Sequence, residues 1–264
     1  MIHIVYTHYG WFGAVGIASL CILLGAALGS FSKAAAVRLI NNRDWIRTPS
    51  TCSACGKPLS HFELIPILSY LMLRGRCQAC QSAIGSSHVV FEIFASALAL
   101  MAAFTLEDGL LLGVFIVSLP LWLTAFETDR LALLLPTTWF IPLGVMALAM
   151  AEFHPIYSWF FVGAGALVGG ALYTTFNLYF KLRKGVWGFG SGDLPLLIVI
   201  GLWVGPWGVA TVFFGSAMIA TAHMAIRYAM RHDAAVLGDR VPWGSYLIGT
   251  FFMTHLFLHV SIGR

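Results

Sequence analysis

Eight apolar runs dominate the chain: roughly Trp11–Leu28, Val89–Leu106, Gly109–Phe126, Leu131–Ala151, Phe160–Phe180, Leu194–Val204, Val209–Ile226 and Tyr246–Val260. A helix needs about 20 mostly apolar residues to cross a bilayer, and most of these runs approach that length. Only 10% of the 264 residues are charged and 59% are hydrophobic, whereas soluble domains carry about 25% charge. The pattern predicts an all-α polytopic membrane protein with about eight transmembrane helices, and the lipid bilayer as its first partner. In such a chain the net charge of +4 matters for where the positive residues fall, and no nucleic-acid partner is expected. The sixth run is short, and "GPWG" at Gly205–Gly208 separates it from the seventh as a turn or as the kink of one helix. The first ten residues hold no Lys or Arg, so the first run reads as a permanent anchor without the basic region of a cleavable signal peptide.

Positive loops stay cytoplasmic. Lys33, Arg38, Arg43, Arg47, Lys57, Arg74 and Arg76 follow the first run, Arg130 the third, Lys181, Arg183 and Lys184 the fifth, and Arg227, Arg231 and Arg240 the seventh. With eight spans, 14 of the 15 basic residues share one side and Arg264 alone takes the other. Glu107, Asp108 and Glu152 occupy the opposite loops. Both termini are then expected to face outward.

The stretch from about Ser30 to His88 is the one long polar segment. It carries "CSAC" (Cys52, Cys55) and "CQAC" (Cys77, Cys80), with 21 residues between the pairs. Two such knuckles can supply four thiolates to a tetrahedral Zn²⁺; free or redox-active thiols are the alternative. Four sulfurs leave no open coordination position, so the ion would be structural. Cys21 lies within the first run and reads as a small core residue. Between the pairs, "FELIPILSYLML" (Phe62–Leu73) is either the small core of the metal module or a surface resting on the membrane interface.

Acidic residues are scarce enough to place one by one. Glu92, Asp129 and Asp193 lie in or at the edge of apolar runs, where ionisable groups are functional candidates. The plainer reading of either aspartate is a carboxylate at a helix start, favoured by the macrodipole. Two features argue past it for Asp193: the glycines of "GFGSGD" (Gly188, Gly190, Gly192), which permit positive φ and close backbone approach, and Asp129 at the same predicted face. Two neighbouring carboxylates share a proton, so one takes a proton from water while the other donates to a carbonyl. For Glu92 a polar role competes with a buried helix–helix hydrogen bond.

These residues resemble the bacterial type IV prepilin peptidases, the leader peptidase/N-methyltransferases of type IV pilus and type II secretion systems, within the GxGD group of membrane aspartic proteases. "GSGD" (Gly190–Asp193), "TDRLALLLP" (Thr128–Pro136), "LGSF" (Leu28–Phe31) with Arg38, the cysteine loop through "LRGRC", and "FEIFASAL" (Phe91–Leu98) carry the resemblance over roughly Leu28 to Pro206. It implies that Asp129 and Asp193 are the catalytic pair and that Cys52, Cys55, Cys77 and Cys80 bind zinc. It further implies that prepilins or pseudopilins are cut after a glycine at the cytoplasmic face of the bacterial inner membrane. The new N-terminus would then be methylated from S-adenosylmethionine. No Gly-rich nucleotide motif stands out, so no residues are assigned to that cofactor. The implied division is a first transmembrane helix (1–29), a cytoplasmic four-cysteine zinc loop associated with methyl transfer (30–88) and a protease core (89–264). Thr137 and Pro195 stand where the family usually has Asp and Lys, and "GSFSKAAAVR" lacks the usual Asn. These departures bear on substrate preference and, for the last, on methylation. Rival readings are another GxGD protease cutting within membranes, and a non-catalytic assembly or transport protein.

Overall fold

A computed structural model describes residues 1–154, 157–231 and 240–262; the described residues are helical apart from loops and two isolated β-bridges. The chain divides into two compact units, Met1–Thr124 and Ala125–Arg264. Among the described residues, five helices are long and apolar enough to cross a membrane, and the protein is a multi-pass membrane protein.

The first unit holds α1 (Ile2–Ile40), the short α2 (Leu68–Met72), α3 (Ser87–Thr105) and most of α4 (Gly109–Ala132). Helix α1 breaks at Gly10, where φ is +66°, and its long arm starts at Trp11, where the apolar run starts. It then continues past Leu28 to Ile40, because "SKAAAVRLI" contains no Gly or Pro and three of the strongest helix formers. The segment expected to be loop from Ser30 is therefore helical for its first eleven residues. Helix α1 meets α3 through Gly25 and Gly29, spaced as a GxxxG pair: a Cβ at Gly25 would lie 2.7 Å from the carbonyl oxygen of Ala95. Lys33 is buried there, donating to the Ser87 carbonyl at 2.9 Å with its ammonium over the Phe91 ring.

The second unit holds the end of α4, a 3₁₀ turn (Thr137–Trp139), α5 (Phe140–Phe153), α6 (Trp159–Lys184), α7 (Asp193–Arg231) and α8 (Trp243–Ile262). The fourth apolar run, expected from Leu131, starts as a helix only at Phe140, since Leu131 and Ala132 close α4. The sixth and seventh runs are the two arms of α7, which is broken at Gly205 (φ +69°, ψ −175°). A Cβ at Gly205 would overlap the Phe161 ring, so both conformation and space demand glycine. Helix α7 doubles back there. Phe189, just before the first arm, packs 6.0 Å from Phe213, eight residues beyond the bend.

The first arm of α7 packs against α6 almost backbone to backbone. Gly165 and Gly169 on α6 face Gly201, Gly205 and Leu197: a Cβ at Gly165 would overlap the Gly201 carbonyl, and one at Gly169 the Leu197 carbonyl. Two GxxxG pairs thus meet face to face, the arrangement that lets membrane helices approach closely without polar contacts. Trp203 fixes the arm to α5 by donating to the Leu143 carbonyl at 2.9 Å. Each of the eight apolar runs lies on α1, α3, α4, α5, α6, an arm of α7, or α8. Arg264, assigned above to the opposite side, lies outside the described residues.

Candidate functional site

The two aspartates both lie in the second unit, but they are presented differently from the expectation. Asp193 begins α7, whereas Asp129 lies in the last turn of α4. A carboxylate at a helix C-terminus opposes the macrodipole, so helix-start stabilisation does not account for Asp129. Asp193 does not cap its own helix either. Its Oδ2 turns back to accept the Gly190 N–H at 2.9 Å, whereas a capping side chain accepts from N–H groups further into the helix. Both carboxylates are buried, and each lies within Coulombic reach of the other.

Asp129 is held by a residue that the sequence did not single out. Ser245, in the first turn of α8, donates its N–H (2.6 Å) and brings its hydroxyl (2.9 Å) to the same oxygen, Oδ2 of Asp129. The hydroxyl also lies 3.0 Å from the Phe126 carbonyl. A hydroxyl has one proton, and a backbone carbonyl can only accept. When the Ser245 proton goes to Phe126, Asp129 must itself be the donor to Ser245 Oγ; when Asp129 is ionised, the Ser245 proton goes to Oδ2. Ser245 thus accommodates both protonation states without moving. Its sequence signal is slight: a Ser after "PWG" at the start of the last apolar run, 116 residues from its partner.

The end of α4 is strained. Leu133 adopts φ +54°, a left-handed conformation that costs a non-glycine residue roughly 1–2 kcal/mol, and its N–H closes on the Asp129 carbonyl at 2.8 Å. This turn aims Leu135 into the gap between two glycines. A Cβ on Gly192 would lie 2.9 Å from Leu135 Cβ; one on Gly244 would lie 2.9 Å from Leu135 Cδ2 and 3.0 Å from Asp129 Cγ. Within "GFGSGD", Gly192 is therefore present for close approach. None of Gly188, Gly190 and Gly192 has positive φ, contrary to half of the reason inferred from the sequence.

The loop itself is pinned from α6 and α8. Asn177, buried on α6, accepts the N–H groups of Gly188 (2.8 Å) and Phe189 (3.2 Å), and Tyr173 donates to the Gly190 carbonyl at 3.2 Å. Phe189 stacks on Trp243 with ring centres 4.1 Å apart. Pro195 falls in the first turn of α7, where no intrahelical partner exists for the N–H it lacks.

In the first unit the four cysteines of the long loop come together, with their sulfurs within 4.8 Å of one another. Tetrahedral Zn–S bonds of about 2.3 Å place sulfurs about 3.8 Å apart; Cys52 and Cys80 are 3.9 Å apart. The knuckles repeat one another. Cys52 N–H bonds Lys57 and Gly56 N–H returns to Cys52; Cys77 N–H bonds Ser82 and Gln81 N–H returns to Cys77. Gly56 (φ +72°) and Gln81 (φ +57°) occupy the equivalent left-handed position. The N–H groups of Cys55 and Ala54 point at the Cys52 sulfur and draw its thiol down to about 6. Cys55 moves up to about 11: the Lys57 N–H pulls the other way, but Cys80 and the remaining thiols outweigh it. The cluster has the donors and spacing of a closed metal site. Cys21 is buried in α1, apart from this cluster.

Glu92 is buried on α3, and its Oε2 accepts the Ile67 N–H of the cysteine loop at 2.7 Å. It binds loop to helix, where the plainer expectation was helix to helix. The stretch Phe62–Met72 is not a core, since none of the residues in its two short helical turns is buried.

Residues 23–106 match the Bacterial Peptidase A24 N-terminal domain, and residues 116–226 match the Type IV leader peptidase family. A prepilin leader peptidase/N-methyltransferase of Bacillus subtilis (strain 168) is 30% identical over 256 residues, covering 93% of this chain and 99% of that protein. The chain belongs to the type IV leader peptidase family. Relatives of the same name in Pseudomonas putida (29% identical; 87% of this chain and 86% of the relative) and Dichelobacter nodosus (28%; 79% and 71%) extend the likeness. The family's N-terminal match contains the cysteine cluster and Glu92, and its peptidase match contains Asp129 and Asp193; Ser245 lies beyond both. No solved structure matches.

Proposed function

We infer that the chain is a membrane aspartic endopeptidase that removes the leader peptide of type IV prepilins or pseudopilins, with Asp129 and Asp193 as its catalytic pair. One observation carries the assignment of residues: two buried carboxylates lie within Coulombic reach of each other in the second unit, and neither side chain caps its own helix. One carboxylate is ionised and takes a proton from water as the water oxygen bonds the scissile carbonyl carbon; the other is protonated and donates to the carbonyl oxygen. Collapse of the tetrahedral intermediate breaks the C–N bond, with a proton delivered to the leaving amine. Ser245 positions Asp129 through both states.

The names of the relatives support methylation of the new N-terminus, with S-adenosylmethionine as the methyl donor. Cleavage after glycine follows the motif resemblance. Residues 30–88 are assigned to the part associated with methyl transfer, and residues 89–264 to proteolysis. The positive loops support a cytoplasmic position for the cysteine module and the aspartates, at the inner membrane. Cys52, Cys55, Cys77 and Cys80 fit Zn²⁺, which when bound would cross-link the two knuckles and contribute folding energy.

Incubation with a pilin-like precursor, followed by mass spectrometry, reads both activities. The expected product starts after the leader glycine and, with S-adenosylmethionine present, carries one added methyl. Asp129→Asn and Asp193→Asn should each reduce cleavage to background at normal expression. Processing by both variants would overturn the assignment of the pair, and an unmethylated product would remove the second activity.

A further inference from the structure

The cysteine loop contains a conformation that neither the metal site nor the aspartates require. Ile67 has φ +63° and ψ −53°, and the Leu68 N–H closes on the Pro66 carbonyl. This is a γ-turn of the rare, strained kind, centred on a β-branched residue, for which positive φ is a genuine outlier. Strain of this sort persists only where the surroundings enforce it, and here Glu92 does so by accepting the Ile67 N–H.

The position of Glu92 sets the depth of the turn. Helix α3 has 19 residues, about 28 Å at 1.5 Å per residue, and the hydrocarbon core is about 30 Å thick. All of α3 is therefore needed to span it. Glu92 is five residues into the helix, so the Ile67 turn is tied roughly 7 Å inward from the loop end of α3. Around that turn the side chains are apolar and uncovered: Phe62 is 82% exposed, Leu71 63% and Met72 74%. Together with Ile65 and Leu68, Phe62 and Met72 wall an open groove. Residues 41–86 carry five basic side chains against two acidic ones, a balance that suits anionic headgroups beside an inserted apolar surface.

We propose that Phe62–Met72 is an interfacial anchor that docks the cysteine module onto the phospholipid leaflet, with its apolar side chains among the upper acyl chains and its basic residues among anionic headgroups. Glu92 fixes the depth of insertion by bracing the Ile67 turn. The occupant of this surface is lipid; the module does not need a protein partner to cover it.

The test places the photo-reactive residue p-benzoylphenylalanine at Leu68, Leu71 or Met72, with Ser53 at a knuckle tip as reference. The full chain is reconstituted in vesicles of phosphatidylethanolamine and phosphatidylglycerol, irradiated and analysed by mass spectrometry. Lipid adducts are expected at all three positions, in yield several-fold above Ser53, and unchanged when a pilin-like precursor is added. Yields equal to the Ser53 reference would overturn the proposal. So would adducts that pass from lipid to the apolar segment of the precursor, because that result would make the surface a substrate dock.

Discussion

In the proposed mechanism, Ser245 is the residue that holds Asp129 in both of its protonation states. Ser245→Ala removes the hydroxyl but keeps the N–H bond to Oδ2. A hydrogen bond to a charged group is worth about 1.5–3 kcal/mol, so kcat should fall roughly 10- to 100-fold with KM little changed, and the pH profile of cleavage should shift. Ser245→Thr, which keeps the hydroxyl, should recover most of the rate. A loss equal in both variants, with no change in pH profile, would make Ser245 merely structural. Gly192→Ala gives a second test at this scale. Its Cβ would meet Leu135 at 2.9 Å, displacing the wedge between the two aspartate-bearing segments. Cleavage should drop sharply while the thermal midpoint changes by only a few degrees.

Between elements, the glycine seam joining α6 and the first arm of α7 brings two backbones into close contact. Gly165→Leu must force the two backbones apart, and overpacking of this kind costs about 1–3 kcal/mol or more; both detergent stability and cleavage should fall. The cysteine knuckles allow an experiment of opposite sign. Gln81 occupies the left-handed position that Gly56 fills in the other knuckle, so Gln81→Gly should stabilise the module by up to about 1 kcal/mol, read as slower metal loss to a chelator. Legibility in the sequence differed among these elements. The helices could be read because each apolar run is long, and the double CxxC because its ligands are close in sequence. The end of α4 could not, because "TDRLALLLP" has no glycine to mark the turn at Leu133 and no local signal stops the helix before Asp129.

Across the whole molecule, the sequence put the two aspartates at one predicted face but gave no sign of what supports them. Charge along the chain predicts a topology in which Asp129 and Asp193 share one face. Ser245, Gly244 and Leu135 act through contacts between distant segments that no periodicity encodes. The same distinction holds in the first unit, where spacing disclosed four cysteines, while the bond from Ile67 to Glu92 joins segments 25 residues apart with no motif to announce it. Metal content checks the first unit as a whole. About one Zn²⁺ per chain is expected, lost in the Cys52→Ser/Cys77→Ser double variant. It should also be released on acidification, because each thiol must lose its proton to bind. Full metal content in the double variant would refute the site.

The bend at Gly205 leaves Asp193 at the start of a very short helical arm. The first arm of α7 rises only twelve residues from Asp193 to Val204, about 18 Å, some 12 Å short of the hydrocarbon thickness. Trp207, 86% exposed just past the bend, belongs by its amphipathic ring at a headgroup boundary. No residue of the first arm itself is exposed, so α5, α6 and α8 packed around it make up the shortfall where lipid would otherwise have to. Asp193 therefore stands at the foot of a helix whose depth is set by its protein neighbours.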